Sequence, residues 1–141
     1  MRFSVCLIAP EEYRFSHFLY DTCKYFCFTI EAAGHDCCIV KNHLYPDRVN
    51  ILIGAHNLGN PAEVDHLKST GKYIVVQSEI LTEHSIAGWP AHQSYTSVYL
   101  PLLRQAHAVW DSLESNQKQL KKFGIGAELL PRVGYLSAME E

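Results

Sequence analysis

Short runs of consecutive aliphatic residues are the feature that most constrains the fold of this chain. The runs are VCLIA (5–9), ILIGA (51–55) and YIVV (73–76). None of them shows the alternation of polar and apolar residues that marks a strand with one solvent-exposed face. A strand with one face in water alternates with a period of two, whereas a strand covered on both faces reads as a continuous apolar run. These runs therefore predict the central strands of a parallel sheet with helices on both faces.

The order of elements supports this interpretation. Apolar residues recur at steps of three and four between the first two strands, and Gly34 follows as a helix C-cap glycine. Pro61 and Gly71 bracket a second helix, and Asp111 with Glu114 matches a capping box for a fourth. The predicted strands are 2–9, 36–42, 49–55, 72–77, 107–111 and 127–131, and the predicted helices are 11–33, 61–70, 95–106 and 112–123.

Strands alternating with helices predict a Rossmann-like, doubly wound α/β fold with a mostly parallel six-stranded sheet. With 141 residues and no linker or repeat, residues 1–141 form one predicted domain. Pro101 is expected either to kink the third helix or to start its regular part.

Charge and composition exclude several classes of protein. The net charge of -3 provides no electrostatic footprint for nucleic acid or anionic membrane. The apolar start is too short for a signal peptide or a membrane span, so we expect a cytoplasmic protein. The five cysteines include no C-x-x-C pair, and the histidines lack metal-ligand spacing. Although HDCC (35–38) could be a metal cluster, we interpret the cysteines as small core residues and expect no metal site.

Familiar catalytic and nucleotide motifs are also missing. The sequence has no G-x-G-x-x-G after the first strand, no P-loop and no G-x-S-x-G elbow. Glu11 and Glu12 follow a proline at the start of a helix, which does not match a phospho-receiver site.

Polar side chains follow four of the predicted strands. In a parallel sheet these carboxyl ends share one edge, where small molecules bind near the point at which strand order reverses. We therefore expect a cleft at this edge. The candidate residues are Tyr13, Arg14 and His17 after the first strand, His56 and Asn57 after the third, Gln77, Ser78 and Glu79 after the fourth, and Asp111 and Asn116 after the fifth.

Each of these side chains has more than one interpretation. His56 could act as a general base, or it could cap the helix at Pro61 or bond the backbone. Glu79 could be a second base, a ligand for sugar hydroxyls, or a solvated loop carboxylate. Arg14 could bind an anion at the first helix N-terminus or lie in a solvated first turn. Asp111 is interpreted mainly as an N-cap and only secondarily as a ligand contact.

The long loop after the fourth strand carries Trp89, His92 and Tyr95. These side chains could form a lid over a sugar or an aromatic ligand, or they could cover the edge of the core. Trp110 lies inside a strand and is expected in the core. The first helix is apolar nearly all round, which predicts burial against a further surface.

Several motifs together resemble the N-terminal half of bacterial two-domain glycosyltransferase-like proteins of the GT-B type. These are YRFSH, NILIGAHNL, VVQSEIL, AVWDSLESN and LPRVGY, and they extend over nearly the whole chain. The resemblance implies a Rossmann-like domain that holds the acceptor, while a C-terminal half would hold the nucleotide-sugar. The chain ends where the crossing to that donor domain would begin, so the donor domain is expected to be absent.

The resemblance thus implies the acceptor-side half of a glycosyltransferase for hexosyl transfer, incomplete without a donor domain or partner chain. His56 and Glu79 are its catalytic candidates. Its substrate-binding candidates are Tyr13, Arg14, His17, Asn57, Gln77, Ser78, Tyr95, Asp111 and Asn116. We expect no cofactor, since the nucleotide-sugar would bind the missing domain. Expected partners are a donor-domain chain or a second copy docked through the first helix. The alternatives are a binding module for a nucleotide or sugar, or a structural subunit of a larger assembly.

Overall fold

A computed structural model describes residues 1–9, 17–58, 60–83, 85–86, 89–90 and 95–130, with only the backbone of residues 17, 18, 85, 89, 90, 95 and 96. Its centre is a six-stranded, all-parallel sheet in the order β2-β1-β3-β4-β5-β6. The strands are β1 Arg2–Leu7, β2 Asp36–Lys41, β3 Val49–Ile53, β4 Tyr73–Gln77, β5 Ala108–Asp111 and β6 Glu128–Leu129. The predicted Rossmann-like α/β fold is therefore confirmed.

Helices cover both faces of the sheet. They are α1 His17–Ala32, α2 Pro61–Thr70, α3 Leu100–Gln105 and α4 Glu114–Lys122. Cys23 and Cys27 of α1 pack on one face, against residues such as Val5 and Ile51. The other face packs against α2, α3 and α4 through residues that include Leu67 and Leu120. Strand order therefore reverses between β1 and β3, because β2 lies on one side of β1 and all later strands lie on the other.

Strands β2 and β3 end earlier than predicted for a backbone reason. Gly54 has φ of 81° and Asn42 has φ of 52°, both in the left-handed region that cannot continue a strand. Residues Ala55–Asn57 form a 3₁₀ turn in place of the predicted last residues of β3. The side chain of Asn42 donates to Ala9 O at 2.7 Å and accepts from Ala9 N at 2.8 Å. Asn42 thereby extends the pairing beyond β1.

The helix ends follow the sequence signals with one exception. Asn60 caps α2 by accepting from Ala62 N, Pro61 opens the helix, and Gly71 follows its end. The capping-box prediction for α4 is wrong. Leu113 occupies the N-cap position and no side chain caps the helix. Asp111 lies two residues earlier, and its carboxylate accepts from Leu113 N, Gln77 Nε2 and Asn116 Nδ2.

The segment before β5 differs in detail from the prediction. Tyr95–Tyr99 form a π-helical turn and the α-helix starts at Leu100, so Pro101 lies at the start of the regular part. Ser85–Ile86 pairs with Trp89–Pro90 in a short antiparallel ribbon that the sequence did not indicate.

A seven-residue stretch, 42–48, connects β2 to β3 without a helix, and Asn50 holds it in place. Asn50 is fully buried and accepts from Ser4 Oγ and Tyr45 N, both at 2.8 Å. Its amide donates to the carbonyls of Tyr45, Arg48 and Lys72. All the hydrogen-bonding groups of this amide are used within the protein, which indicates a structural role.

Two expectations concern core and surface residues. Cys6, Cys23, Cys27 and Cys37 are buried free thiols, and burial raises the pKa of Cys6 to about 11. The core interpretation of these four cysteines is thus confirmed. On α1, Tyr20 is 46% exposed, and a partner for this helix stays a prediction. Across the described residues, no helix has the length and apolarity needed to cross a membrane.

Candidate functional site

The sheet brings five of the predicted site residues together at its carboxyl edge. His56 comes from the turn after β3, Gln77 and Glu79 from the end of β4, and Asp111 and Asn116 from β5 and α4. Hydrogen bonds or an ion-pair contact connect His56 to Glu79, and Glu79 to Gln77 and Asn116. The prediction that polar groups converge at this edge is confirmed for these five residues.

His56 faces the carboxylate of Glu79. Its Nε2 lies 3.3 Å from Glu79 Oε1, and the two side chains are 13% and 29% exposed. Burial lowers the pKa of His56 below 6.5, and the nearby Glu79 carboxylate opposes that effect only in part. At neutral pH a neutral imidazole therefore faces the carboxyl group of Glu79. Asn60 caps α2, so the alternative in which His56 caps that helix is wrong.

Tyr99 supports the imidazole from another direction. Its ring meets that of His56 edge to face, with centroids 6.5 Å apart and planes at 83°. Its hydroxyl donates to Gln77 Oε1 at 3.0 Å, and Tyr99 is 3% exposed. The π-helical turn that ends at Tyr99 thus places one aromatic ring against both the imidazole and the amide.

Side chains hold the main chain of Glu79 on both sides. Gln77 Oε1 accepts from Glu79 N at 3.2 Å, and Gln77 Nε2 donates to Glu79 O at 2.5 Å. Asn116 Nδ2 donates to the same carbonyl at 2.7 Å, and Asn116 Oδ1 accepts from Leu81 N at 2.9 Å. The two buried amides therefore determine where the β4 exit loop leaves the sheet.

Asp111 joins the two amides. Its Oδ2 accepts from Gln77 Nε2 at 3.2 Å, and its Oδ1 accepts from Asn116 Nδ2 at 3.2 Å and from Leu113 N at 2.8 Å. Burial raises the pKa of Asp111, while these donors act in the opposite direction. In each of these contacts an N–H group donates a hydrogen bond to the Asp111 carboxylate, so the arrangement fits the ionised form of Asp111.

The prediction that Gln77, Asp111 and Asn116 bind substrate stays a prediction. Gln77 and Asp111 are 1% exposed and Asn116 is 0% exposed. The contacts that the structure shows for them are with protein groups, at distances of 2.5 to 3.2 Å. What the geometry itself establishes is that they support the Glu79 loop.

A cavity of about 470 Å³ opens at the same edge of the sheet, beside the turn that carries His56. Its described lining combines aliphatic and polar side chains: Ile8, Asn42, Leu58, Ala62, Glu63, His66 and Leu67. Ile8 follows β1 and Leu58 follows β3, so the cavity lies where strand order reverses. Clefts at such points are the usual ligand sites of open α/β sheets.

The remaining predicted residues are placed less completely. Asn57 lies beside His56, and its Nδ2 is buried without a hydrogen-bond partner. Ser78 is exposed between Gln77 and Glu79. His17 begins α1 and Tyr95 begins the π-helical turn, but their side chains lie outside the described residues, as do Tyr13 and Arg14. The side chains of the predicted lid residues Trp89 and His92 also lie outside the described residues, and only the backbone of Trp89 is described.

Sequence reasoning missed Tyr99 and the polar residues that line the cavity. Tyr99 lies in a helical stretch with ordinary core spacing, so no local signal marks its hydroxyl. Glu63 and His66 are three residues apart on α2 and hence share a face, a spacing that is visible in the sequence. Asn42 could have been found as an asparagine at the end of a strand, where left-handed backbone is common.

No group of three or more His, Cys, Asp or Glu side chains is arranged to hold a metal ion in the part of the chain that the structure describes. Comparisons with protein-family models, with curated proteins and with solved structures yielded no significant match to this chain.

Proposed function

We propose that this chain is the acceptor-side half of a glycosyltransferase-like protein, in which His56 is the general base. One observation carries the proposal: a mostly buried imidazole whose Nε2 lies 3.3 Å from Glu79 Oε1 at the carboxyl edge of a doubly wound sheet, with its pKa lowered by burial. The resemblance of YRFSH, NILIGAHNL, VVQSEIL, AVWDSLESN and LPRVGY to GT-B-type proteins supports the same assignment.

The chemistry follows from the two side chains. Nε2 of His56 faces Glu79, so Nδ1 is the ring atom that would take the proton of an acceptor hydroxyl. The hydroxyl oxygen forms a bond to the anomeric carbon of the donor sugar as the bond to the nucleoside diphosphate breaks. Glu79 stabilises the imidazolium that results. The donor would be held by a second domain or chain.

The cavity supports acceptor binding at this edge. Leu58 lines it, and Leu58 N bonds to Ala55 O, so the cavity and His56 flank the same turn. A lining that combines aliphatic side chains with an amide, a carboxyl group and an imidazole suits a hydroxylated acceptor with an apolar portion.

The test is hexosyl transfer by this chain co-expressed with a GT-B donor-type domain. His56→Gln should lower kcat by about 10²–10⁴-fold with little change in acceptor KM, as expected for loss of general base catalysis. His107→Gln is the matched control, because His107 is exposed and precedes β5 at the opposite edge. Full activity of the His56→Gln assembly, or a chain that associates with no donor-type domain, would contradict the proposal.

A second candidate, a ligand-binding module without turnover, is favoured by the position of the cavity. The cavity lies at the reversal of strand order, and its described lining includes neither His56 nor Glu79. Native-state binding raises apparent stability, so a thermal-shift screen with nucleotides, nucleotide-sugars and sugars would reveal a ligand. Stabilisation by one of these compounds, abolished by Leu58→Trp and accompanied by no product, would favour this candidate over the enzyme half.

A further inference from the structure

The peptide of Glu79 is held by side chains instead of a neighbouring strand. Its N–H and C=O make three hydrogen bonds with Gln77 and Asn116, and both of those amides also donate to Asp111. A loop carboxylate would ordinarily be free to sample many directions. Here the main chain that carries it is fixed by fully buried groups, so the direction in which the Glu79 side chain leaves the backbone is fixed as well.

The buried side chains around the Glu79 peptide use nearly all of their hydrogen-bonding capacity. Gln77 uses both amide protons and both lone pairs of its oxygen: two donations, to Glu79 O and Asp111, and two acceptances, from Glu79 N and the Tyr99 hydroxyl. Buried polar groups that are fully satisfied rigidify their surroundings, while a partly satisfied set costs stability. The arrangement is therefore rigid where it contacts Glu79.

We propose that Gln77, Asn116 and Asp111 are positioning residues that hold Glu79 opposite His56. Gln77 and Asn116 fix the Glu79 peptide directly, and Asp111 fixes the two amides. Tyr99 completes the arrangement, since it bonds Gln77 through its hydroxyl and packs against the imidazole. This inference deepens the proposed function, on which it rests for its catalytic meaning, but the positioning itself can be measured without any transfer reaction.

A purely structural role would leave the electrostatics of His56 unchanged. Among the described residues, Glu79 is the ionisable group that acts on the pKa of His56, and the Tyr99 ring is its aromatic neighbour. The imidazole pKa measured by NMR titration is therefore a direct readout of where the Glu79 carboxylate lies. Glu79→Gln sets the scale, since removal of the charge should lower the pKa of His56 further.

Gln77→Met is the principal variant, because it removes all four hydrogen bonds of the amide at similar volume. We expect it to lower the pKa of His56 by at least half of the shift that Glu79→Gln causes. Asn116→Ser, a milder change, should act in the same direction and serves if Gln77→Met does not fold. Ser4→Ala is the matched control: it removes a buried hydrogen bond to Asn50, at the other end of the sheet, and should leave the His56 titration unchanged.

Two results would overturn the inference. The first is a folded Gln77→Met or Asn116→Ser protein whose His56 titrates as in the wild type, while Glu79→Gln shifts it. The second is a Glu79→Gln protein with an unchanged His56 pKa, which would show that the carboxylate is not held against the ring. Loss of transfer activity plays no part in either result, so the positioning role and the proposed function fail separately.

Discussion

The amide of Gln77 donates to the carboxylate of Asp111 at 3.2 Å, and the two residues are also register partners at the ends of β4 and β5. Neighbouring strands lie about 4.8 Å apart, so two residues paired across adjacent strands can bring their side chains into direct contact. The sheet register itself therefore builds the first contact of the site. The loops then add Glu79 and Asn116 to it.

Asp111→Asn should destabilise the protein although the shape of the side chain is kept. One carboxylate oxygen becomes an NH₂ group that meets a donor, either Gln77 Nε2 or the pair Asn116 Nδ2 and Leu113 N. An unsatisfied buried donor costs about 1–3 kcal/mol in the free energy of unfolding, measured by urea denaturation. Asp65→Asn is the control, on the exposed side of α2. Equal stability of the two variants would contradict this prediction.

Asn50→Ala should be among the most destabilising single changes in this protein. It leaves Tyr45 N and the carbonyls of Tyr45 and Arg48 without the Asn50 side chain as partner, while Lys72 O keeps only the backbone N–H of residue 50. We expect a loss of about 2–4 kcal/mol, because several buried groups become unsatisfied at once. Asn60→Ala, which removes only the cap of α2, should cost about 1 kcal/mol. Thermal or urea unfolding of both variants gives the comparison, and the reverse ranking would refute it.

Gly54→Ala should cost more stability than Gly34→Ala, although both glycines have positive φ, of 81° and 88°. An added Cβ at Gly54 would lie 2.8 Å from Leu19 Cδ1 and 3.0 Å from Ile8 O, whereas at Gly34 nothing lies within 4 Å. The Gly34 variant thus reports the backbone strain alone, roughly 1–2 kcal/mol. Chemical denaturation should show an additional loss at Gly54, and identical losses would mean that the turn relaxes freely.

His56 should make stability depend on pH in a defined direction. Its folded pKa lies below 6.5, so the unfolded chain binds a proton more readily than the folded chain. This contribution to stability is present above pH 6.5 and is lost as the pH falls through the folded pKa. The stability difference between the wild type and His56→Gln should therefore shrink between pH 7.5 and 5.

Val98→Ala is the control for the pH experiment. Val98 is 1% exposed, and neither valine nor alanine titrates, so its stability difference from the wild type should stay constant with pH. A His56→Gln difference that is equally constant would show that the imidazole is not kept neutral by its surroundings.

The sequence predicted the fold well because the signals for it are local. Continuous aliphatic runs mark strands covered on both sides, and Pro61, Gly71 and Gly34 mark helix ends through their own backbone preferences. Strand ends were less predictable. Gly54 and Ala55 look like more of the same apolar run, but the left-handed φ of Gly54 ends β3.

The site was predictable as a location and less so as a set of roles. His56, Gln77, Glu79, Asp111 and Asn116 could be placed at one edge, because parallel strands share the edge at which they end. Which of them contact each other could not be read from the chain. Asp111 illustrates this, since its spacing to Glu114 fits a capping box, while partners 34 residues away in Gln77 and five away in Asn116 engage its carboxylate instead.

The sequence by itself determined the class of fold, the strand and helix order and the edge at which polar residues gather, because these follow from local periodicity and from the handedness of β-α-β connections. Only the tertiary structure decided that His56 faces Glu79, that Gln77 and Asn116 hold the Glu79 peptide, and that a cavity opens beside them. These are contacts between elements far apart in the chain, and their geometry depends on sheet register and on the packing of side chains between layers.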